Sequence, residues 1–255
     1  MARGATGCGR CRPVRVGVLL EVCVDDALEL AEAVAGGADR VELCAALGLG
    51  GLTPSVGLMA VAAGCGVPVM AMIRPRAGGF EFGAAEVAVM KADIRAVRAA
   101  GLAGVVLGAT RGDRLDEAVL RELVAEAAGL DLTLHRAIDL VGDVEAAVEV
   151  AVQLGFRRVL SSGGARVAVE GVARLGVMLR AAAGRLVVMP GSGVSVATWP
   201  QLAGLGVSEV HASCAVGVGR IVDRFGFVTG AERRTDRGMV RALKAVLDGS
   251  GSGPI

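Results

Sequence analysis

Tyrosine is absent from this 255-residue chain, and Phe and Trp together supply only 2% of it. Neither sign of charge dominates: 27 basic residues face 26 acidic ones, a net charge of +1. A chain so balanced presents no field that would attract nucleic acid or an anionic membrane surface. The expected partner is a small ligand or another copy of the chain in a homo-oligomer. The N-terminal stretch to Arg15 carries four arginines and no acid, but no apolar segment of signal-peptide length follows. Export is therefore not expected, and the cytoplasm is the expected location.

No Asp, Glu, Lys or Arg stands between Glu42 and Arg74, which raises the question of a membrane span. Thr53, Pro54, Ser55 and six glycines interrupt that run. It divides into a strand end, a loop, a short helix and a second strand, so it reads as buried core. The six cysteines, at 8, 11, 23, 44, 65 and 214, are expected to be reduced thiols rather than a disulfide framework. Cys8 and Cys11 have C-x-x-C spacing but no second ligand pair nearby. They sit in a leader, 1–15, expected to be flexible and basic, as the 251–255 tail is expected to be loose.

What is present is Ala, Val, Gly and Leu in a strand-then-helix rhythm. Strand patterns cover Val16 to Val24, Arg40 to Cys44, Val67 to Ile73, Gly104 to Gly108, Leu132 to Arg136, Arg158 to Ser162, Leu186 to Pro190 and Glu209 to Ser213. Helical spacing fills the intervals near Ala27 to Ala35, Ser55 to Ala63, Ala85 to Ala100, Leu115 to Ala128, Val144 to Gln153, Val167 to Ala182 and Ser195 to Gly204. Asp236 to Leu247 closes the series. Strands joined by crossover helices must run parallel. Eight such units predict an α/β fold with a single (β/α)8 TIM barrel over 16–250. A Gly-x-Gly-x-x-Gly turn after the first strand is missing, which argues against a dinucleotide-binding sheet.

Side chains on a strand alternate faces, so Glu21 shares a face with Cys23, and Glu42 with Cys44. On adjacent parallel strands these groups converge, and function in such barrels gathers at the C-terminal strand ends. The same rim receives Met72 and Arg74, Thr133 and His135, then Arg136. Ser161-Ser162-Gly163-Gly164, Pro190-Gly191-Ser192-Gly193 and the row Glu209, His211, Ser213 complete it. Each has a plain structural reading: Glu and His can be satisfied core groups, and Cys65 and Cys214 read as small buried hydrophobes.

Two chemistries suit the rim. Cys23 and Cys44, with a thioether at Met72, form a soft donor set suited to Cu(I). Alternatively, Arg74, Arg136, His211 and the loops of Ser161, Gly163, Gly191 and Gly193 bind a small phosphate or carboxylate substrate. His135 with Glu21 or Glu42 would then move a proton.

Leu20 to Asp25, Gly36 to Cys44, Gly50 to Ser55, Met72 to Arg76, Val89 to Arg95, His135 to Ala137, Arg158 to Gly163 and Met189 to Gly191 appear in an order that resembles the CutC copper homeostasis family. The resemblance implies a cytoplasmic TIM barrel that binds Cu(I), with Cys23 and Cys44 as the family's two proposed ligands. Three positions depart from the family pattern. Gly48-Leu49-Gly50-Gly51 lacks the usual Glu, Gly79 stands for an Asp, and Ser192 stands for a Gly.

Overall fold

A computed structural model describes residues 17–219 and 233–249; the leader with Cys8 and Cys11 and the 251–255 tail lie outside the described residues. All eight expected strands form. They are β1 Leu19–Val24, β2 Arg40–Leu43, β3 Val69–Met72, β4 Gly104–Leu107, β5 Asp131–Leu134, β6 Arg158–Ser161, β7 Val187–Pro190 and β8 Glu209–Ala212. Every ladder is parallel and follows chain order, with β8 paired to β1. β7 and β8 lie side by side at the seam, which brings the ends of the sheet together into a TIM barrel.

A helix follows each strand: α1 Ala27–Gly36, α2 Val56–Ala62, α3 Ala84–Ala99, α4 Glu117–Glu126, α5 Val144–Gln153, α6 Val172–Ala182, α7 Trp199–Ala203 and α8 Arg237–Gly249. The starts of α1, α2, α4, α5 and α8 are set by short polar side chains that take a free first-turn amide. Asp26 accepts from Glu29, Asp116 from Val119 and Asp143 from Ala146. In α3 the buried residues Val87, Met90, Ile94 and Val97 recur at helical spacing and seat it on the sheet. Among the described residues no helix is long and apolar enough to cross a membrane.

The sequence pattern misjudged three helix starts, among them that of α7, expected at Ser195 and found at Trp199. Leu115 belongs to a two-stranded hairpin, Thr110–Arg111 with Arg114–Leu115, and α4 starts only after the Asp116 cap. The stretch from Val167 breaks at Gly171 into a short 3-10 turn, Ala168–Glu170, and α6. Gly171 packs so closely on the loop after β6 that a Cβ there would lie 1.9 Å from the Ser162 carbonyl oxygen.

Alternation along the strands divides the protein into two interiors. Leu20, Val22, Val41, Leu43, Ile73, Val105, Leu107, Val159 and Val210 face the helices and form the large apolar core. The other face fills the barrel. Part of that filling is apolar, a cluster of Cys44, Met70, Met72 and Val106; the rest is charged.

Candidate functional site

The deepest polar layer is a chain of ion pairs. Glu21 on β1 lies opposite Arg40 on β2 and His211 on β8 by register. Arg40 Nε donates to Glu21 Oε2, and Arg40 Nη2 donates to Glu209 Oε2 at 2.5 Å. Arg158 reaches the same Glu209 oxygen at 3.2 Å, Asp131 at 2.8 Å and the Thr133 hydroxyl at 3.0 Å. Burial would raise the Glu21 carboxyl, but Arg40 and His211 outweigh it and hold it down at about 2. Glu21 is therefore a buried anion that positions His211.

His211 stands above this layer with Nδ1 2.9 Å from Glu21 Oε1 and Nε2 3.8 Å from Glu42 Oε2. Burial opposes its charge, yet Glu42, Cys23 and Glu21 together push its pKa well above the usual histidine range. One ligand atom each from Cys23, Glu42 and His211 lies within 4.8 Å of the others. Cys44 Sγ donates to Glu42 Oε2 at 3.5 Å, packed beneath Gly51. Burial and the neighbouring Glu42 push the Cys44 thiol up, and burial raises Glu42 as well, against the pull of His211.

Across the barrel, His135 follows β5, and its Nδ1 accepts from the Ala137 amide at 3.2 Å. Gly108 makes room for the ring, since a Cβ there would lie 2.6 Å from it. Burial, helped by the Arg74 charge, holds the His135 pKa down at about 3, so the ring is neutral. Phe80 packs against this ring at 4.7 Å between centroids, tilted by 45°, and the Arg74 guanidinium lies 4.9 Å from the Phe80 centroid. Arg74 donates to the carbonyls of Leu49 at 3.1 Å, Gly51 at 3.2 Å and Gly78 at 2.6 Å. It has no carboxylate partner among the described residues.

The loop after β6 binds an anion, and the anion is internal. The Asp139 carboxylate accepts from the Ser161 hydroxyl at 2.5 Å, from the amides of Ser162 and Gly164, and from Arg136 Nε at 2.8 Å. Gly163 completes the turn with its amide on Ser161 Oγ. After β7, the Gly191 amide continues the ladder to the Ser161 carbonyl. Ser192 and Gly193 both take φ of 74°, the left-handed region that favours glycine.

These groups surround a mouth cavity of about 470 Å³. Of the candidate residues, Cys23, Glu42, Arg74, His135, Arg136, Gly193 and His211 line it. Glu21, Cys44, Ser161, Gly163 and Gly191 stand behind the wall. Three buried atoms of the lining residues have no hydrogen-bond partner among the described residues: Glu42 Oε1, Arg74 Nε and His135 Nε2.

Phe80, Cys214 and Arg233 also line the cavity, and sequence reasoning did not find them there. Cys214 adopts φ of 47°, with its thiol raised to about 12 by burial and the nearby Cys23. Arg233 arrives on the hairpin of Ala215–Gly217 with Arg233–Thr235. Asp139 was equally unsuspected; its only signal was a carboxylate four residues after His135. Cys65 is half-buried and donates to the Val67 carbonyl, apart from the site.

The CutC family model matches residues 18–216. A CutC family protein from Sinorhizobium medicae is 55% identical over 237 residues, 91% of this chain and 96% of its own length. The human copper homeostasis protein cutC homolog is 44% identical over 200 residues, covering 77% of this chain and 73% of that protein. A CutC crystal structure from Streptococcus agalactiae superposes with a TM-score of 0.73 at 29% identity, over 77% of this chain and 98% of that one. With the match spanning the barrel from β1 through β8, the chain belongs to the CutC family.

Proposed function

We propose that this protein handles copper in the cytoplasm by binding Cu(I) at the barrel mouth through Cys23 and Cys44, with His211 as a nitrogen donor beside them. The observation that carries the reading is the convergence of Cys23, Glu42 and His211 ligand atoms within 4.8 Å, with Cys44 bonded to the same Glu42 carboxylate. Thiolate, imidazole and the Met72 thioether packed on Cys44 are donors that favour a soft monovalent ion over magnesium or calcium. The name of the human relative, a copper homeostasis protein homolog, points the same way. The buried, unpartnered Glu42 Oε1 adds a site where an incoming cation gains an oxygen contact.

Burial and the neighbouring Glu42 favour the protonated Cys44 thiol, so loading must displace that proton, and affinity must rise with pH. Titration of reduced protein with Cu(I) against a competing chelator tests the reading. The Cys23→Ser/Cys44→Ser protein is expected to bind at least about a hundredfold more weakly, in line with the loss of both soft donors. Equal affinity in the two proteins refutes it.

A further inference from the structure

A copper centre at Cys23 and Cys44 makes no use of the opposite wall of the cavity. There His135 Nε2 and Arg74 Nε, on residues 3% and 5% exposed, have no hydrogen-bond partner among the described residues. Because His135 Nδ1 accepts from the Ala137 amide, the neutral ring carries its hydrogen on Nε2 and offers a donor to the cavity. Arg74 supplies an uncompensated positive charge, and Phe80 lies against both groups. Facing them, Glu42 Oε1 offers an unused acceptor. Buried donors and acceptors left unpaired are costly, and a ligand that pairs them recovers that cost.

We propose that the mouth is also a receptor site for a small organic acid bearing a hydroxyl or keto oxygen beside its carboxylate. The carboxylate faces Arg74, the neighbouring oxygen accepts from His135 Nε2, and a hydroxyl donates to Glu42 Oε1. Inorganic phosphate suits the cavity less well. The amide-rich loop after β6 is already filled by Asp139, and Leu47, Met72, Phe80, Leu160 and Val194 give the wall an apolar character that matches a carbon skeleton. A volume of about 470 Å³ lies in the range of small-molecule pockets.

The test is calorimetric titration of the full chain, kept copper-free with a chelator, against malate, gluconate, 2-oxoglutarate and inorganic phosphate. At least one organic acid is expected to bind with Kd below about 1 mM, and phosphate about tenfold more weakly. His135→Phe keeps a ring against Phe80 but removes the donor, and should weaken the acid about tenfold. Glu42→Gln should weaken malate and gluconate more than 2-oxoglutarate, which has no hydroxyl to donate; this ranking serves if His135→Phe does not fold. No binding by any of the three acids, phosphate binding as tightly as they do, or a ranking unchanged by Glu42→Gln overturns the proposal. So does undiminished binding by a folded His135→Phe protein. Because copper is excluded throughout, failure here leaves the Cu(I) reading standing, and failure of the Cu(I) titration leaves this site standing.

Discussion

Arg40 and Arg158, two buried guanidinium groups, donate to one and the same oxygen of Glu209, at 2.5 and 3.2 Å. Like charges can be this close inside a barrel only because carboxylates alternate with them: Glu21, Arg40, Glu209, Arg158, Asp131. Removing the middle carboxylate leaves two cations facing each other out of water. Glu209→Gln is expected to lower unfolding free energy by about 3–5 kcal/mol, measured by urea denaturation. A change within experimental error would mean the network contributes nothing net.

Asp139 occupies the position an anionic ligand would take on the Ser162 and Gly164 amides, so replacing it should open that place. Asp139→Ala is expected to cost about 2–3 kcal/mol, because hydrogen bonds to a charged group are strong ones. Added phosphate should raise the melting temperature of the variant and leave the wild type unchanged. Identical phosphate responses in the two proteins would contradict this assignment.

His135 stays neutral in the folded protein down to about pH 3, whereas a histidine in the unfolded chain protonates near 6.5. Between those values the unfolded state binds the extra proton, so stability falls as pH drops through that window, by at most about 1.4 kcal/mol per pH unit. His211 is shifted the other way and is protonated in both states there, so it contributes stability below 6.5 that is lost only as pH rises through its elevated pKa. Glu21 adds acid sensitivity only from about 4.5 down to about 2. Burial raises the carboxyls of Glu29, Glu42 and Asp93, which gain stability as pH falls in this region, so the His135 share is read as the difference between wild-type and His135→Phe denaturation curves from pH 6.5 to 4.5, the wild type losing more stability toward acid.

Ser192 holds φ of 74°, a conformation that costs a residue with a Cβ about 1–2 kcal/mol. Its hydroxyl gains one hydrogen bond, to the Arg166 carbonyl at 2.9 Å in an exposed setting. Ser192→Gly should thus stabilise the protein by up to about 1 kcal/mol, after the greater chain entropy of glycine is counted. A lower melting temperature for the variant would show the Arg166 bond to be worth more than the strain.

The barrel was readable because each strand carries an apolar face of Val, Leu and Ile bounded by a glycine-marked turn, and strand alternation alone put Glu21 with Cys23 and Glu42 with Cys44. Depth along the barrel axis was not readable. It depends on stagger between strands, and it separates Glu21, bonded to Arg40 below, from Glu42, which reaches the cavity. The charged layer had a sequence signal in Arg40 and Arg158, each the first residue of its strand, but nothing local says that both reach Glu209. The occupation of the Ser161 to Gly164 loop by Asp139 was equally invisible. Amides ready for an anion look the same in sequence whether the anion is a ligand or the chain itself.

Arg74 fastens Leu49 and Gly51 of the segment after β2 to Gly78 of the segment after β3. These two segments thus share a single bolt. An engineer who transplants either one alone from a relative would leave the bolt with mismatched carbonyls, whereas moving both together with their arginine carries the fastening intact. Specificity at this mouth is therefore exchangeable in units of a loop pair, not of a loop.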